Sequence, residues 1–202
     1  MAGLKIVIVG QQWLGGQALQ LCLQRGDDVA KALPPSVGDR LHTAALQAGV
    51  PAEICPRRVE SGHIPPGTDL IVAAHAHAYV TAGARQAARH GALGYHPSLL
   101  PRHRGRDAVR WTLHMGDRIA GGTAYWMDDG VDTGPIAAQD WCWTRPGDTP
   151  QTLWRRELAP MGLRIFGAVL RELDAGRKPS QPQDETLATW EPAFSAGLLS
   201  SA

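Results

Sequence analysis

An α/β fold is predicted, a doubly wound, Rossmann-like and mostly parallel sheet with helices on both faces. Leu4-Lys5-Ile6-Val7-Ile8-Val9 is an apolar, β-branched run stopped by Gly10. Asp69-Leu70-Ile71-Val72-Ala73-Ala74 is a second run of this kind, and Ala92 to Tyr95 a shorter third. Near-continuous apolar runs mark strands buried on both faces, and helix-like stretches between them mark β-α-β crossovers.

The elements can be taken in order. Gly15 and Gly16 precede a helical stretch, Gln17 to Leu23, that Gly26 ends, and Val29 to Leu33 is the strand completing the first β-α-β unit. The turn between them has Gln12 where a dinucleotide fingerprint needs its second glycine, and it lacks the Gly-Lys-Ser/Thr of a P-loop. It reads as a packing turn. Residues 34–68 are rich in Pro and Gly, with a helix from Arg40 to Ala48 and a weak strand at Glu53-Ile54-Cys55. His75-Ala76-His77-Ala78-Tyr79-Val80 leads into a helix ending near His90-Gly91. His75 and His77 share a strand face, but no third residue stands at ligand spacing, so no metal is expected.

Arg106 to Met115 is helix-like and closed by Gly116-Asp117. Thr123 to Met127 and Ile136 to Trp141 read as strands flanking an acidic, Gly-rich loop. Thr149-Pro150 is a hydroxyl cap with proline at the first helical position. Trp154, Leu158, Met161, Ile165, Val169 and Leu173 then recur at helical spacing up to Gly176, with Pro160 kinking or dividing the helix. From Arg177 the chain is Pro-rich and polar, with Leu187 and Trp190 placed to pin it down.

A chain of 202 residues suits one domain: 1–176 as its body and 177–202 as a tail packed on it. A net charge of +1 leaves no basic footprint for nucleic acid. Cys22, Cys55 and Cys142 are odd in number and widely spaced, which suits free thiols and a cytoplasmic protein. The only apolar stretch near the N-terminus, Leu4 to Val9, is too short for a signal peptide or a membrane span, so no membrane partner is expected. For Trp141-Cys142-Trp143 the expected fate is burial within the monomer, with a homodimer contact as the alternative.

Chemistry concentrates between Gly94 and Gly134. His96 stands at the C-terminal end of a strand, where open α/β sheets bind ligands, and Asp132 lies in the acidic loop. A histidine beside a carboxylate suits acid–base work, because the carboxylate stabilises the imidazolium.

His96-Pro97-Ser98-Leu99-Leu100-Pro101, then Arg104-Gly105, then Asp132-Thr133-Gly134 resembles the signature of folate-dependent formyltransferases. That family includes glycinamide ribonucleotide, methionyl-tRNA and sugar-amine formyltransferases and the hydrolase domain of 10-formyltetrahydrofolate dehydrogenase. The wording is most similar to that hydrolase domain, through Gly10-Gln11, Tyr95 to Gly105, Trp111-Thr112-Leu113 and Asp128-Asp129-Gly130. The resemblance implies a formyltransferase-type catalytic domain that uses 10-formyltetrahydrofolate as donor and needs no metal. It implies that His96 donates to the oxyanion of a tetrahedral adduct and that Asp132 holds the histidine charged. It places the pterin among Ala78, Tyr79, Val80 and the loop Asp128, Asp129, Gly130, Val131, with Leu99 walling the formyl site.

One position departs from the family. The usual transferase has Asn two residues before the histidine, and this chain has Gly94. Loss of one such donor costs about 10²–10³ in rate. Three functions therefore follow: formyl transfer to a small amine or hydroxylamine, hydrolysis of the donor to formate and tetrahydrofolate, or an inactive folate-binding module. The tRNA enzyme's C-terminal domain and the phosphate loop of the ribonucleotide enzyme are not recognisable here, which leaves a small-molecule acceptor by elimination.

Overall fold

The computed structural model describes residues 3–194. β1 (Lys5–Gly10), α1 (Gln12–Arg25) and β2 (Asp28–Leu33) form the opening unit. α2 (Arg40–Gln47), β3 (Arg58–Val59), β4 (Leu70–Ala74), β5 (Tyr79–Val80) and α3 (Ala82–Gln86) follow. β6 (Ala92–His96), α4 (Ala108–His114), β7 (Ile119–Trp126) and β8 (Ile136–Trp143) lead to α5 (Pro150–Leu153) and α6 (Ala159–Asp174). The main sheet runs β2-β1-β4-β6-β7-β8, with its first four strands parallel and β7 and β8 antiparallel. β3 and β5 pair separately.

The apolar runs are unbroken because both faces of the sheet are covered. Ile6 and Ile8 of β1 join the larger core with Leu19 of α1 and Phe166 of α6, while Val7 and Val9 join a second core with Val59, Val80 and Ala84. α1 starts at Gln12, earlier than its sequence predicts, with Gly15 and Gly16 inside it. A Cβ on Gly15 would stand 3.2 Å from the Gly10 carbonyl carbon and 3.4 Å from Leu41 Cβ, so the helix packs its first turn directly on β1 and α2.

Three local expectations change, and of the two outcomes expected at Pro160 the structure shows division. Glu53-Ile54-Cys55 is not a strand: Ala52 makes a single bridge to Ala32, and the flanking Pro51 and Pro56 have no N–H to extend a ladder. The segment after His77 first forms β5, and only then does the Thr81 side chain cap the five-residue α3. Trp141 and Trp143 are 52% and 60% exposed instead of buried. β8 lies at the sheet edge; Ala137 belongs to the core, and Ala138 and Cys142 pack against it, while Trp141 and Trp143 point away. Pro160 divides its helix: Trp154–Leu158 is a π turn in which the Ala159 N–H reaches the Trp154 carbonyl, as suits a stretch beside a proline that offers no N–H.

The tail is held by polar groups rather than by Leu187, which is exposed. Gln181 bridges to Ile136, Gln183 and Glu185 bond Arg104, and Trp111 Nε1 donates to the Pro192 carbonyl. Trp190 does meet Arg104, its ring 5.8 Å from the guanidinium carbon. Residues 195–202 of the expected tail lie outside the described residues. Among the described residues no helix is long and apolar enough to cross a membrane.

Tyr95 fixes the strand that carries the site. Its Oη donates to the Leu158 carbonyl at 2.6 Å, and its ring lies against two glycines, Gly122 of β7 and Gly162 of α6. A Cβ on Gly162 would stand 2.9 Å from that ring. Gly162→Ala is therefore expected to destabilise the fold by about 1–3 kcal/mol through overpacking. Urea denaturation checks this as a lower midpoint at unchanged slope; an unchanged midpoint would mean that the ring yields freely.

Candidate active site

His96 ends β6 at the carboxyl edge of the sheet, paired in register with Thr123 of β7. The loop after it contains Pro97 and a cis Leu100–Pro101 peptide, and β7 and β8 hold it down. Thr123 Oγ1 donates to the Ser98 carbonyl at 2.7 Å and accepts from Leu100 N at 3.1 Å. Gln139 Nε2 donates to the Leu100 carbonyl at 2.8 Å. Leu99 lies over β7, its side chain filling the space a Cβ on Gly121 would need. The loop turns so that the His103 carbonyl faces the His96 ring.

Asp132 meets His96 as its sequence predicts. Its Oδ2 is 3.3 Å from His96 Nδ1, and both side chains are almost buried. On the other side of the ring, His96 Nε2 donates to the His103 carbonyl at 2.7 Å. Both ring nitrogens thus face acceptors, an arrangement satisfied in full when both carry hydrogens. Asp132 itself has φ 56, left-handed backbone that few non-glycine residues adopt outside turns and functional sites. Two neutral donors hold its carboxylate: Tyr125 Oη bonds Oδ1 at 2.6 Å and Gly105 N bonds Oδ2 at 2.9 Å. Burial and then the neighbouring Asp132 charge push the Tyr125 phenol well above its ordinary value, so it stays a donor.

The vacant position two residues before His96 is already filled. A Cβ on Gly94 would stand 3.0–3.1 Å from the Tyr125 ring and 3.2 Å from Met127 Cγ. The ring that bonds Asp132 therefore takes up the room for a side chain at 94.

The segments that the resemblance assigns to the pterin converge on one guanidinium. Arg85 donates to the Val80 carbonyl at 2.7 Å and pairs with Asp129. Ala78 and Met127 both pack on the second core. Asp128 Oδ1 accepts from Gly130 N and Thr133 Oγ1, so this side chain builds the loop it stands in. Tyr79 and Val131 are exposed at the surface.

A cavity of about 170 Å³ opens beside Ala78, at the ends of β1, β2 and β4. Gly10, Gln11, Arg57, His75 and His77 line it together with apolar residues, and no acidic side chain is among its lining. This is the crevice where strand order reverses, between β1 and β4. His75 also has left-handed backbone, lies tilted against Trp154 with ring centres 5.0 Å apart, and keeps its Nδ1 buried without a partner. Burial, then the nearby His77, lowers its pKa and favours the neutral ring. Among the described residues no cluster of three or more His, Cys, Asp or Glu side chains has metal-binding geometry.

Sequence reasoning missed Tyr125, Arg85 and Gln183. Tyr125 carried one signal, two-residue alternation from Thr123 onto the face that bears His96, but only with the antiparallel register known. Gln183 carried none, since it sits in a polar tail.

A model described as formyl transferase matches residues 38–165. The mitochondrial 10-formyltetrahydrofolate dehydrogenase of Mus musculus is 35% identical over 201 residues, 93% of this chain but 22% of that protein. The chain thus spans about a fifth of the length of this relative. Among solved structures, glycinamide ribonucleotide transformylase 1 from Symbiobacterium toebii superposes with a TM-score of 0.74 at 26% identity, over 91% of this chain and 95% of that one. An N-formyltransferase from Helicobacter canadensis, in complex with folinic acid and dTDP-3-aminofucose, shares the fold at 15% identity, with a TM-score of 0.77 over 93% of this chain and 70% of its own. With the matched segment covering most of the chain and including both His96 and Asp132, this protein belongs to the formyl transferase family.

Proposed function

We propose that this protein moves a formyl group from 10-formyltetrahydrofolate to the amine or hydroxylamine nitrogen of a small acceptor in the cytoplasm. The family's formyl donor is 10-formyltetrahydrofolate. The observation that carries the reading is the contact of His96 with Asp132 at the carboxyl edge of the sheet, where β6 ends. The acceptor nitrogen attacks the formyl carbon and forms a tetrahedral adduct. The bond from that carbon to folate N10 then breaks, and the proton lost by the acceptor goes to N10. His96 stabilises the oxyanion, for which its Nε2–H must exchange the His103 carbonyl for the formyl oxygen. Asp132 keeps the imidazole charged and oriented. The pterin lies along Ala78, Tyr79, Val80 and Asp128 to Val131, and its arrival displaces the Arg85–Asp129 ion pair.

A second reading, hydrolysis with water as acceptor, is favoured by Gly94. Gly94 has no side-chain amide to offer the formyl oxygen, and the Tyr125 ring and Met127 crowd the place where one would start. Incubation with 10-formyltetrahydrofolate, with and without a panel of amines, separates the two. Product formation that depends on an amine supports transfer, and formate release at an amine-independent rate sinks it. Donor binding with no turnover of either kind would support a quiet folate-binding module.

Within either chemistry, His96→Ala and Asp132→Asn are each expected to lower kcat by about 10²-fold or more, since each removes a group acting in the transition state. Near-normal rates in either variant would mean that the site is elsewhere. Tyr125→Phe keeps the ring beside Gly94 but frees Asp132 Oδ1, and a fall of about tenfold in kcat is expected from one lost charge-assisted bond. Gly94→Asn is expected to destabilise the fold by about 1–3 kcal/mol and to gain no activity, because its Cβ meets a ring that cannot move without releasing Asp132. Denaturation midpoints and donor turnover check both, and a faster Gly94→Asn enzyme would overturn this account of position 94.

A further inference from the structure

Gln183, in the tail, touches no part of the catalytic pair's side chains, yet all its hydrogen-bonding capacity is directed at the two loops that carry them. It is 9% exposed. Its Oε1 accepts from Arg104 Nε at 3.1 Å and from the same guanidinium's terminal nitrogen at 2.8 Å. Its Nε2 donates to the Asp132 carbonyl at 2.9 Å and to the Gly134 carbonyl at 2.7 Å. A primary amide has two donor and two acceptor places, and here all four are used. The reversed amide would set its NH₂ against a guanidinium and its oxygen against two carbonyls, so the network fixes one orientation.

We propose that Gln183 is a positioning residue for the catalytic carboxylate, a role that rests on the reading of Asp132 as catalytic. Asp132 has left-handed backbone, which for a residue with a Cβ persists only when its surroundings over-determine it. The amide of Gln183 supplies that constraint from the backbone side: it fixes the carbonyl of Asp132 itself and that of Gly134 two residues on. With the peptide planes fixed, the direction of the Cα–Cβ bond is fixed too, and from there the carboxylate meets Tyr125 Oη, Gly105 N and His96 Nδ1. The same amide carries the constraint to the other loop through Arg104, whose guanidinium is also held by both carboxylate oxygens of Glu185, at 2.8 and 2.6 Å. Arg104 precedes Gly105, the residue whose N–H bonds the Asp132 carboxylate. One tail side chain thus sets donor and acceptor of that bond against each other.

The test compares Gln183→Met, which keeps size and removes all four bonds, with Gln183→Glu, which keeps the acceptor for Arg104 and removes the donors. Trp111→Phe serves as control, since it loosens the far end of the tail by removing the bond to the Pro192 carbonyl. Hydrogen exchange of the Gly105 amide reports the Asp132 contact directly, with no acceptor needed. In both Gln183 variants it is expected to quicken about tenfold or more, with kcat for the donor falling about 10–10² while its KM stays within about threefold. Trp111→Phe should leave Gly105 exchange and kcat unchanged. Wild-type protection of Gly105 in Gln183→Met overturns the proposal, and so does an equal loss in Trp111→Phe, which would mean general loosening of the tail. If Gln183→Met does not fold, Gln183→Glu is read by the same criteria, and a rescue of Gly105 protection there would overturn the donor half of the argument. Asp132→Asn separates the two claims: normal turnover in it would remove the catalytic reading while leaving the Gly105 result standing.

Discussion

Asp132 stands at φ 56, where its side chain projects in a direction that extended or helical backbone would not give it, and three groups meet it there. Two of the three, a phenol and a peptide N–H, are neutral donors. They satisfy the buried carboxylate without neutralising it, so its charge remains available to the imidazole of His96. The nearby full cation is kept occupied elsewhere. Arg104 is buried, but Glu185 and Gln183 hold it. Had that guanidinium bonded the Asp132 carboxylate itself, the ion pair would have formed without the histidine. The division of partners, cation to Glu185 and neutral donors to Asp132, is what leaves the carboxylate facing His96.

The sheet supplies the precision. β6 is the last parallel strand and β7 runs back beside it, so His96 and Thr123 stand opposite one another at the carboxyl edge. Thr123 then fastens the loop that returns the His103 carbonyl to the ring, and Tyr125, two residues along the same strand face, reaches Asp132. Residues two apart on a strand share a face as a matter of backbone geometry. One antiparallel strand therefore positions both sides of the His96 ring, and a slip of one residue would remove both contacts at once.

How much could be read from the chain followed from the range of each interaction. Leu4 to Val9 and Leu70 to Ala74 were legible because burial on both faces leaves a run with no polar break. The meeting of His96 with Asp132 was legible because each stands in a recognisable loop segment, His96 to Pro101 and Asp132 to Gly134, next to a strand end. Tyr125 and Gln183 were not, since their partners are set by strand register and by a tail returning from far along the chain. Glu53 to Cys55 was misread for the opposite reason: its local composition suited a strand, while the prolines on either side left too few N–H groups for a ladder. Trp141 and Trp143 were misread because burial of a strand depends on whether another strand lies beyond it, and none among the described residues does.

Position 94 can be understood only together with position 125. On opposed strands the two residues face each other in register, Gly94 with Tyr125, and the space between them admits one large side chain. Here the volume is assigned to β7. A ring reaching from β7 places its hydroxyl on Asp132, behind the histidine, whereas a side chain from β6 would stand on the strand face that bears His96, two residues before it. The shared volume therefore goes to the residue whose hydroxyl holds Asp132 Oδ1, and the contact of Asp132 with His96 gains a fixed partner from the strand opposite.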